Sequence, residues 1–302
     1  MAEKSVKDID GLIDQSWNPD NSELDLREKE IDDEDLKKIL QSDKIKGVTA
    51  LFLEFNDIGD DGVKALLDSG HAKYLTAINL FKNKVTDVGV KAMASSKALI
   101  NLSELVMSDN KIGVEGAIAV AESRPLANLV SLWLGDDLGD EGVKAIATSE
   151  TLTRLNLLSL YRNNIGNAGA RALAESKNLG KLTELNLNWN YIEGEGVEAL
   201  AQSDTLKNLT QLTMTYNPIG DRGAIAIAGS KTLGNLTLLD LYEAEIGSAG
   251  GRAIADSTTL VNLETLVLIH NDIKPEVQEA IRSSKTLVKL SNVIFKRTSE
   301  EA

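Results

Sequence analysis

Short alternations of apolar and polar residues recur along the chain at a fixed interval. Aligned on the middle of three spaced apolar residues, they fall at Leu24, Leu51, Ile78, Leu105, Leu132, Leu158, Leu185, Leu212, Leu239 and Leu266. The interval is 27 residues, apart from a single 26 between Leu132 and Leu158, and Val293 opens an eleventh unit. The unit from Leu182 to Asn208 reads LTELNLNWNYIEGEGVEALAQSDTLKN, within the pattern L-x-x-L-x-L-x-x-N-x-I-G-x-x-G-x-x-x-L/I-A-x-S-x-x-L. A serine closes all ten full units, from Ser42 to Ser284. Such self-similarity outranks local propensity, because each copy buries its apolar face only by stacking on its neighbours.

Each position in the unit has a physical meaning. The L-x-L step, as in Leu185 and Leu187, is the period-2 signature of a short strand with one buried face. Asn follows in seven of the ten units (Asn56, Asn83, Asn110, Asn163, Asn190, Asn217, Asn271). It reads as a buried amide satisfying backbone groups where the chain leaves the sheet. A glycine-bearing turn leads into a helical stretch such as GARALAES, residues 169–176, whose small residues allow close helix packing. Acids precede these helices (Asp60, Asp61, Asp140, Glu141), where the helix dipole favours negative charge. The closing serine is expected to bond backbone at the helix end, with its partner left open.

Strands sit about 4.8 Å apart, whereas packed helices need about 8–10 Å. A stack of such units therefore curves. The predicted fold is α/β: a right-handed solenoid (horseshoe) with a concave parallel sheet and convex helices. Residues 21–298 form its ten full repeats plus a terminal strand around Leu290, Val293 and Phe295. Pro275 is placed to start the last helix. Residues 1–20 are expected to form a helical cap, with Val6, Ile9 and Ile13 at helical spacing, and residues 299–302 a flexible tail.

These residues resemble leucine-rich repeats of the ribonuclease-inhibitor-like class over nearly the whole chain. The match is carried by runs such as Asn163-Asn164-Ile165-Gly166-Asn167-Ala168-Gly169 followed by Ala172-Leu173-Ala174. The 27-residue unit with its ALAES-type helix end is most similar to bacterial members. The resemblance implies a non-enzymatic scaffold that binds a folded protein on the concave sheet, as inhibitor, adaptor or regulator, with a bacterial effector among the open roles. The class is also similar to the repeat portions of GTPase-activating proteins, which leaves a regulator of a partner enzyme as the alternative. The absence of cysteine departs from the mammalian inhibitors and excludes a cysteine-dependent ubiquitin ligase.

Let the aligned residue be position 4. Positions 4 and 6 then point into the core, and positions 5, 7 and 8 face the concave side or its margin. Those three positions hold Phe52, Phe55, Phe81, Trp133, Tyr161, Trp189, Tyr216 and Tyr242, eight of the 12 aromatics. β-Propensity on a solvent-facing strand is one explanation. A binding stripe is the preferred one, since Trp and Tyr dominate interface hot spots. Arg162, Asp240 and Glu243 complete the candidate partner-binding set. Positions 2, 3, 5, 7 and 8 carry eleven acids (Glu23, Asp25, Glu28, Glu54, Glu104, Asp109, Asp136, Glu184, Asp240, Glu243, Glu264) against Arg27, Lys82 and Arg162. That bias suits a partner with a basic patch; a general solubility charge is the competing account.

Composition narrows the remaining choices. With 46 Asp+Glu against 32 Lys+Arg the net charge is −14, which disfavours nucleic acid or anionic lipid as partner. No run has the length of a membrane span, and the first twenty residues lack a signal-peptide core. The expectation is a cytoplasmic monomer apart from its partner, with delivery into a host cell left open. No catalytic residue, cofactor or metal is assigned. His71 and His270 lack a nucleophile–base partner, and the glycines recur at turns without a GxxxxGK. The acidic run DDLGDEG in the shortened fifth unit lacks calcium-hand spacing and is read as a deletion beside a helix start. Ala244 replaces the recurring Asn in the ninth unit, where a local loosening is expected.

Overall fold

A computed structural model describes residues 8–296 except Pro19 and Asn21; Val6 and the tail fall outside them. The repeats appear as strand, turn, helix and return. The chain divides into two compact units at Asp136 and Asp137, inside the shortened fifth turn.

The N-terminal unit opens with the helix α1 (Ile9–Ser16), capped by the Asp8 carboxylate on the Gly11 N–H. Five parallel strands follow: β1 (Glu23–Asp25), β2 (Ala50–Phe52), β3 (Ala77–Asn79), β4 (Glu104–Val106) and β5 (Ser131–Trp133). They alternate with α2 (Asp33–Gln41), α3 (Asp60–Asp68), α4 (Asp87–Ser95) and α5 (Val114–Glu122). The C-terminal unit runs through α6 (Gly139–Thr148), β6 (Leu157–Ser159), α7 (Asn167–Ala174), β7 (Glu184–Asn186), α8 (Gly194–Ala201) and β8 (Gln211–Thr213). It continues through α9 (Gly220–Gly229), β9 (Leu238–Asp240), α10 (Ser248–Ala255), β10 (Thr265–Val267), α11 (Pro275–Arg282) and β11 (Asn292–Ile294). Pro275 does occupy the first helical turn.

Register is set by the period. Leu24 pairs with Leu51, Leu51 with Ile78 and Ile78 with Leu105; in the C-terminal unit Leu158 pairs with Leu185 and Leu185 with Leu212. Positions 4 and 6 are solvent-excluded, as at Leu185 (2% exposed) and Leu187 (0%). The core is aliphatic, and of the 12 aromatics only Phe295 is buried, beneath the Arg282 guanidinium at 4.7 Å.

Three side-chain ladders tie each repeat to its neighbour. The Asn190 carbonyl oxygen accepts from the Asn163 and Ile165 N–H groups at 2.9 and 3.0 Å, and its amide donates to the Leu160 and Leu187 carbonyls at 3.0 and 2.9 Å. Asn56 repeats the arrangement on Lys29, Ile31, Leu26 and Leu53. The serines form a second ladder: Ser203 Oγ donates to the Ala174 carbonyl at 2.6 Å and accepts from the Leu206 N–H.

The acids at the helix starts form the third ladder, and they do more than complement a dipole. Asp140 Oδ1 accepts from the N–H groups of Gly166 and Gly169 in the following repeat, both at 2.8 Å. Asp60, Asp87 and Asp221 do the same one repeat on, and Asn167 takes the role toward Glu193 and Gly196. This explains the second glycine of the motif. A Cβ on Gly169 would lie 2.6 Å from Asp140 Oδ1 and 2.7 Å from Ile165 Cγ2.

The two irregular repeats are rebuilt rather than loosened. In the fifth turn Gly135 and Gly139 adopt left-handed φ of 91° and 56°, and Asp136 Oδ1 accepts at 2.9 Å from the Asp109 N–H, a position-8 donor that in regular repeats meets a backbone carbonyl of the next repeat. Where Ala244 removes the ladder amide, the Ile219 N–H that such an amide would meet turns back onto the Asn217 carbonyl at 2.8 Å, and left-handed Gly220 donates to the Ala244 carbonyl at 3.0 Å. Ala244 itself is fully buried.

Replacing Gly169 with Ala is expected to destabilise by about 1–3 kcal/mol, because the added methyl overpacks against a hydrogen-bonded carboxylate. Gly229, at the end of α9 with nothing within 4 Å of a built Cβ, should accept Ala at no cost. Urea unfolding midpoints check the pair; equal shifts would contradict the steric account.

Candidate functional site

Among the described residues, side chains at positions 5, 7 and 8 emerge on the sheet face opposite the helices. Position 8 carries a constraint absent from the sequence reading. Glu28, Phe55, Lys82 and Asp109 in the N-terminal unit, and Arg162, Trp189, Tyr216, Glu243 and His270 in the C-terminal unit, all have left-handed φ between 48° and 57°. That conformation costs a non-glycine residue about 1–2 kcal/mol. It is held from outside the residue. The Trp189 N–H donates to the Thr215 carbonyl at 2.8 Å and the Tyr216 N–H to the Tyr242 carbonyl at 3.0 Å, while the ladder amides fix the turn that follows. No compositional signal marks the position, since Trp, Phe, Tyr and Arg occupy it as often as Asp.

In the C-terminal unit this geometry builds a row of rings. Trp189 stacks on Tyr216 with centroids 3.8 Å apart, Tyr216 lies 5.1 Å from Tyr242, and Tyr242 meets His270 edge-on at 5.2 Å. Trp189 is 47% exposed, and Tyr216 and Tyr242 are half-buried. Sequence reasoning left His270 out of the stripe; its place at position 8, beside an aromatic at position 7 of the preceding repeat, was the available signal. Tyr161 packs near the exposed Arg162 guanidinium, 5.9 Å from its ring. Asp240 lies half-buried at the foot of the row, where burial raises its carboxyl above the ordinary value against the opposing Tyr242 N–H bond of 3.0 Å. Glu243 is exposed.

The N-terminal unit holds a different arrangement. Phe55 and Phe81 make an edge-on pair at 5.3 Å, with the Lys82 ammonium 5.0 Å from the Phe55 ring. A cleft of about 1280 Å³ runs along the face past Phe52, Phe81 and Trp133, and α1 and Trp17 wall one end. The cap is pinned there by a bridge between Trp17 and Leu24 and by the Asn18 N–H on the Glu23 carbonyl. Arg27 forks onto Asp25 through Nε and Nη2 at 2.8 and 2.5 Å and lies 5.9 Å from the Phe52 ring. That pairing holds the Asp25 carboxyl below its usual range. It also commits the arginine, which weakens any reading of Arg27 as a freely offered catalytic group.

Glu54 is the residue that sequence reasoning misplaced. Counted there among the surface acids, it is only 8% exposed. Its Oε1 accepts from Asn79 Nδ2 at 2.7 Å, and Asn79 is oriented in turn by the Phe81 N–H. Its Oε2 is buried with no hydrogen-bond partner. Burial pushes the carboxyl up, partly opposed by its own backbone N–H and then by the Arg27 charge. The acidic bias of the face is therefore smaller than a residue count suggests: Glu54 is inside, Asp25 is paired and Asp136 is bonded to the Asp109 N–H.

No group of three or more potential metal-ligating side chains occurs among the described residues. In the DDLGDEG run Asp137 accepts from Asn164 Nδ2 at 2.6 Å and Asp140 caps the next helix. No helix among the described residues is long and apolar enough to cross a membrane.

Six segments, 48–67, 71–94, 98–121, 148–174, 181–201 and 205–228, match the leucine-rich repeat family model. Among solved structures, an internalin (inlF) from Listeria monocytogenes is similar at 21% identity over 92% of this chain and 87% of that one, with a TM-score of 0.45. The functional domain of InlJ from Listeria monocytogenes, which includes a cysteine ladder, is similar at 17% identity with a TM-score of 0.52. That match covers 91% of this chain but 53% of the solved domain's chain, and it shows a shared fold. No curated protein matches in sequence.

A buried, partly uncompensated carboxylate has a pH signature. A folded-state pKa raised above the unfolded one means that stability falls as pH rises from about the ordinary value of 4.5 through the folded value. Relative to the native chain, Glu54→Gln should gain stability between about pH 4 and pH 7, on the order of 1 kcal/mol. Thermal unfolding of both proteins across that range checks the sign. A constant difference would contradict it.

Proposed function

We propose that this leucine-rich repeat chain is a non-enzymatic binding module that grips a folded protein on its open sheet faces. Proteins built from such repeats generally bind other proteins through their extended repeat surfaces. The observation that carries the reading is the row Trp189, Tyr216, Tyr242 and His270, rings in mutual contact yet partly exposed. Large aromatics in contact across repeats are already ordered, so binding costs them little rotamer freedom. The buried aliphatic core leaves these rings no packing duty that would account for them.

Glu23, Glu28, Glu243 and Glu264 remain exposed on or beside these faces and favour a partner with a basic patch. A helix of eight to ten residues returns the chain in each full repeat, in keeping with the ribonuclease-inhibitor-like class. Inhibitor, adaptor and regulator are the roles that this class suggests.

The partner is to be isolated by affinity capture and its binding then measured against purified chains. Combined Trp189→Ala, Tyr216→Ala and Tyr242→Ala substitution is expected to weaken Kd by about 30-fold or more, the scale of a lost hot spot. The association rate of the native chain should fall with added salt. Unchanged affinity in a folded triple variant would refute the aromatic row as the binding surface.

A further inference from the structure

The cleft of the N-terminal unit combines features that the aromatic row lacks. Its floor includes Glu54, more than nine-tenths buried, with one carboxylate oxygen satisfied by Asn79 and the other unpartnered. Phe52, Phe81 and Trp133 line it, and Trp17 from the cap closes one end. Its charged lining is five acids (Glu23, Asp25, Glu28, Glu54, Glu104) against Arg27 and Lys29. Within the same cleft the chain already shows how a guanidinium is held here: Arg27 forks onto Asp25 beside the Phe52 ring.

We propose that this cleft is a receptor for a basic side chain, arginine or lysine, presented by the protein partner, with Glu54 as its counter-charge and the Phe52, Phe81 and Trp133 rings as its walls. The proposal rests on the reading of the sheet faces as a protein-binding surface and names the anchor group that one of them takes. Aromatic faces attract a cation electrostatically, and more strongly once it is desolvated. An unpartnered buried carboxylate oxygen is costly until a donor reaches it, so a charged N–H donor gains both hydrogen bond and charge neutralisation there. A neutral isostere such as citrulline can donate an N–H but brings no charge, so it gains much less. At about 1280 Å³ the cleft exceeds the usual small-molecule pocket of about 300–1,000 Å³, leaving room for the partner backbone that carries the side chain. Burial of the Glu54 carboxyl supports the assignment, because Arg27, forked onto Asp25, offsets its charge only in part.

The test needs no partner. The chain has three tryptophans; Trp17 and Trp133 line the cleft, while Trp189 belongs to the aromatic row and serves as internal reference. Their indole N–H resonances are followed by NMR during titration with N-acetyl-arginine amide, N-acetyl-lysine amide and the neutral N-acetyl-citrulline amide. Expected are saturable shifts at Trp133 and Trp17 with a basic amide at Kd on the order of millimolar, none at Trp189, and none with citrulline. Saturation with only one basic amide identifies the side chain and supports the site. Glu54→Gln should weaken binding at least about fivefold; should that variant fail to fold, Phe81→Leu replaces it with the same expected loss. Absence of saturable shifts, equal response to citrulline, or full affinity in the folded variant overturns the proposal. Such a failure would leave the aromatic row intact as a binding surface, since that row is tested separately by its own variants.

Discussion

Everything on the sheet face depends on one hydrogen-bonded unit, the asparagine amide that reaches back into the preceding repeat. A turn that leaves a buried strand strands several backbone donors and acceptors, each costing about 1–3 kcal/mol if unmet. The ladder amide satisfies them in two repeats at once: Asn217 accepts from the Ile192 N–H and donates to the Leu187 and Met214 carbonyls. The turn geometry thus belongs to the stack and not to the local sequence. This is how Trp189 and Tyr216 sit in a left-handed conformation that neither would choose alone. Where the amide is missing, at Ala244, the preceding turn has changed to meet the demand itself: the Ile219 N–H bonds the Asn217 carbonyl and the Gly220 N–H the Ala244 carbonyl.

The same division of labour separates structure from binding. Positions 4 and 6 fill the core, the Asn, Asp and Ser ladders close most of the polar groups, and positions 5, 7 and 8 carry lighter structural duties, such as the Asn79 and Asp240 carbonyl and carboxylate oxygens on the Phe81 and Tyr242 N–H groups. Their side chains are free to differ between the units. One unit presents a row of contacting rings; the other presents a cleft with a buried carboxylate. Both are consequences of side chains placed on a backbone that the ladders have already fixed.

Much of this was legible in sequence because it is periodic. Strand register follows from Leu24, Leu51 and their successors, and a recurring Asn after a strand has few roles other than an amide satisfying backbone. Three features were not legible, for physical reasons. The acids at helix starts act one repeat away, which a single helix cannot reveal; only the glycine clash with Asp140 explains the spacing. The left-handed backbone at position 8 is imposed by neighbours, so residue preference carries no trace of it. The burial of Glu54 belongs to its particular surroundings, with Asn79 of the next repeat on one carboxylate oxygen, and a position label on a repeat treats it like any other surface acid.

Amide hydrogen exchange on an Asn190→Ala variant tests this dependence most directly. Asn190 accepts from the N–H groups of Asn163 and Ile165. Protection should therefore fall at those two amides, one repeat before the substitution, with the strand core around Leu185 keeping its protection. Loss confined to the repeat that contains Asn190, with Asn163 and Ile165 as protected as in the native chain, would contradict the account.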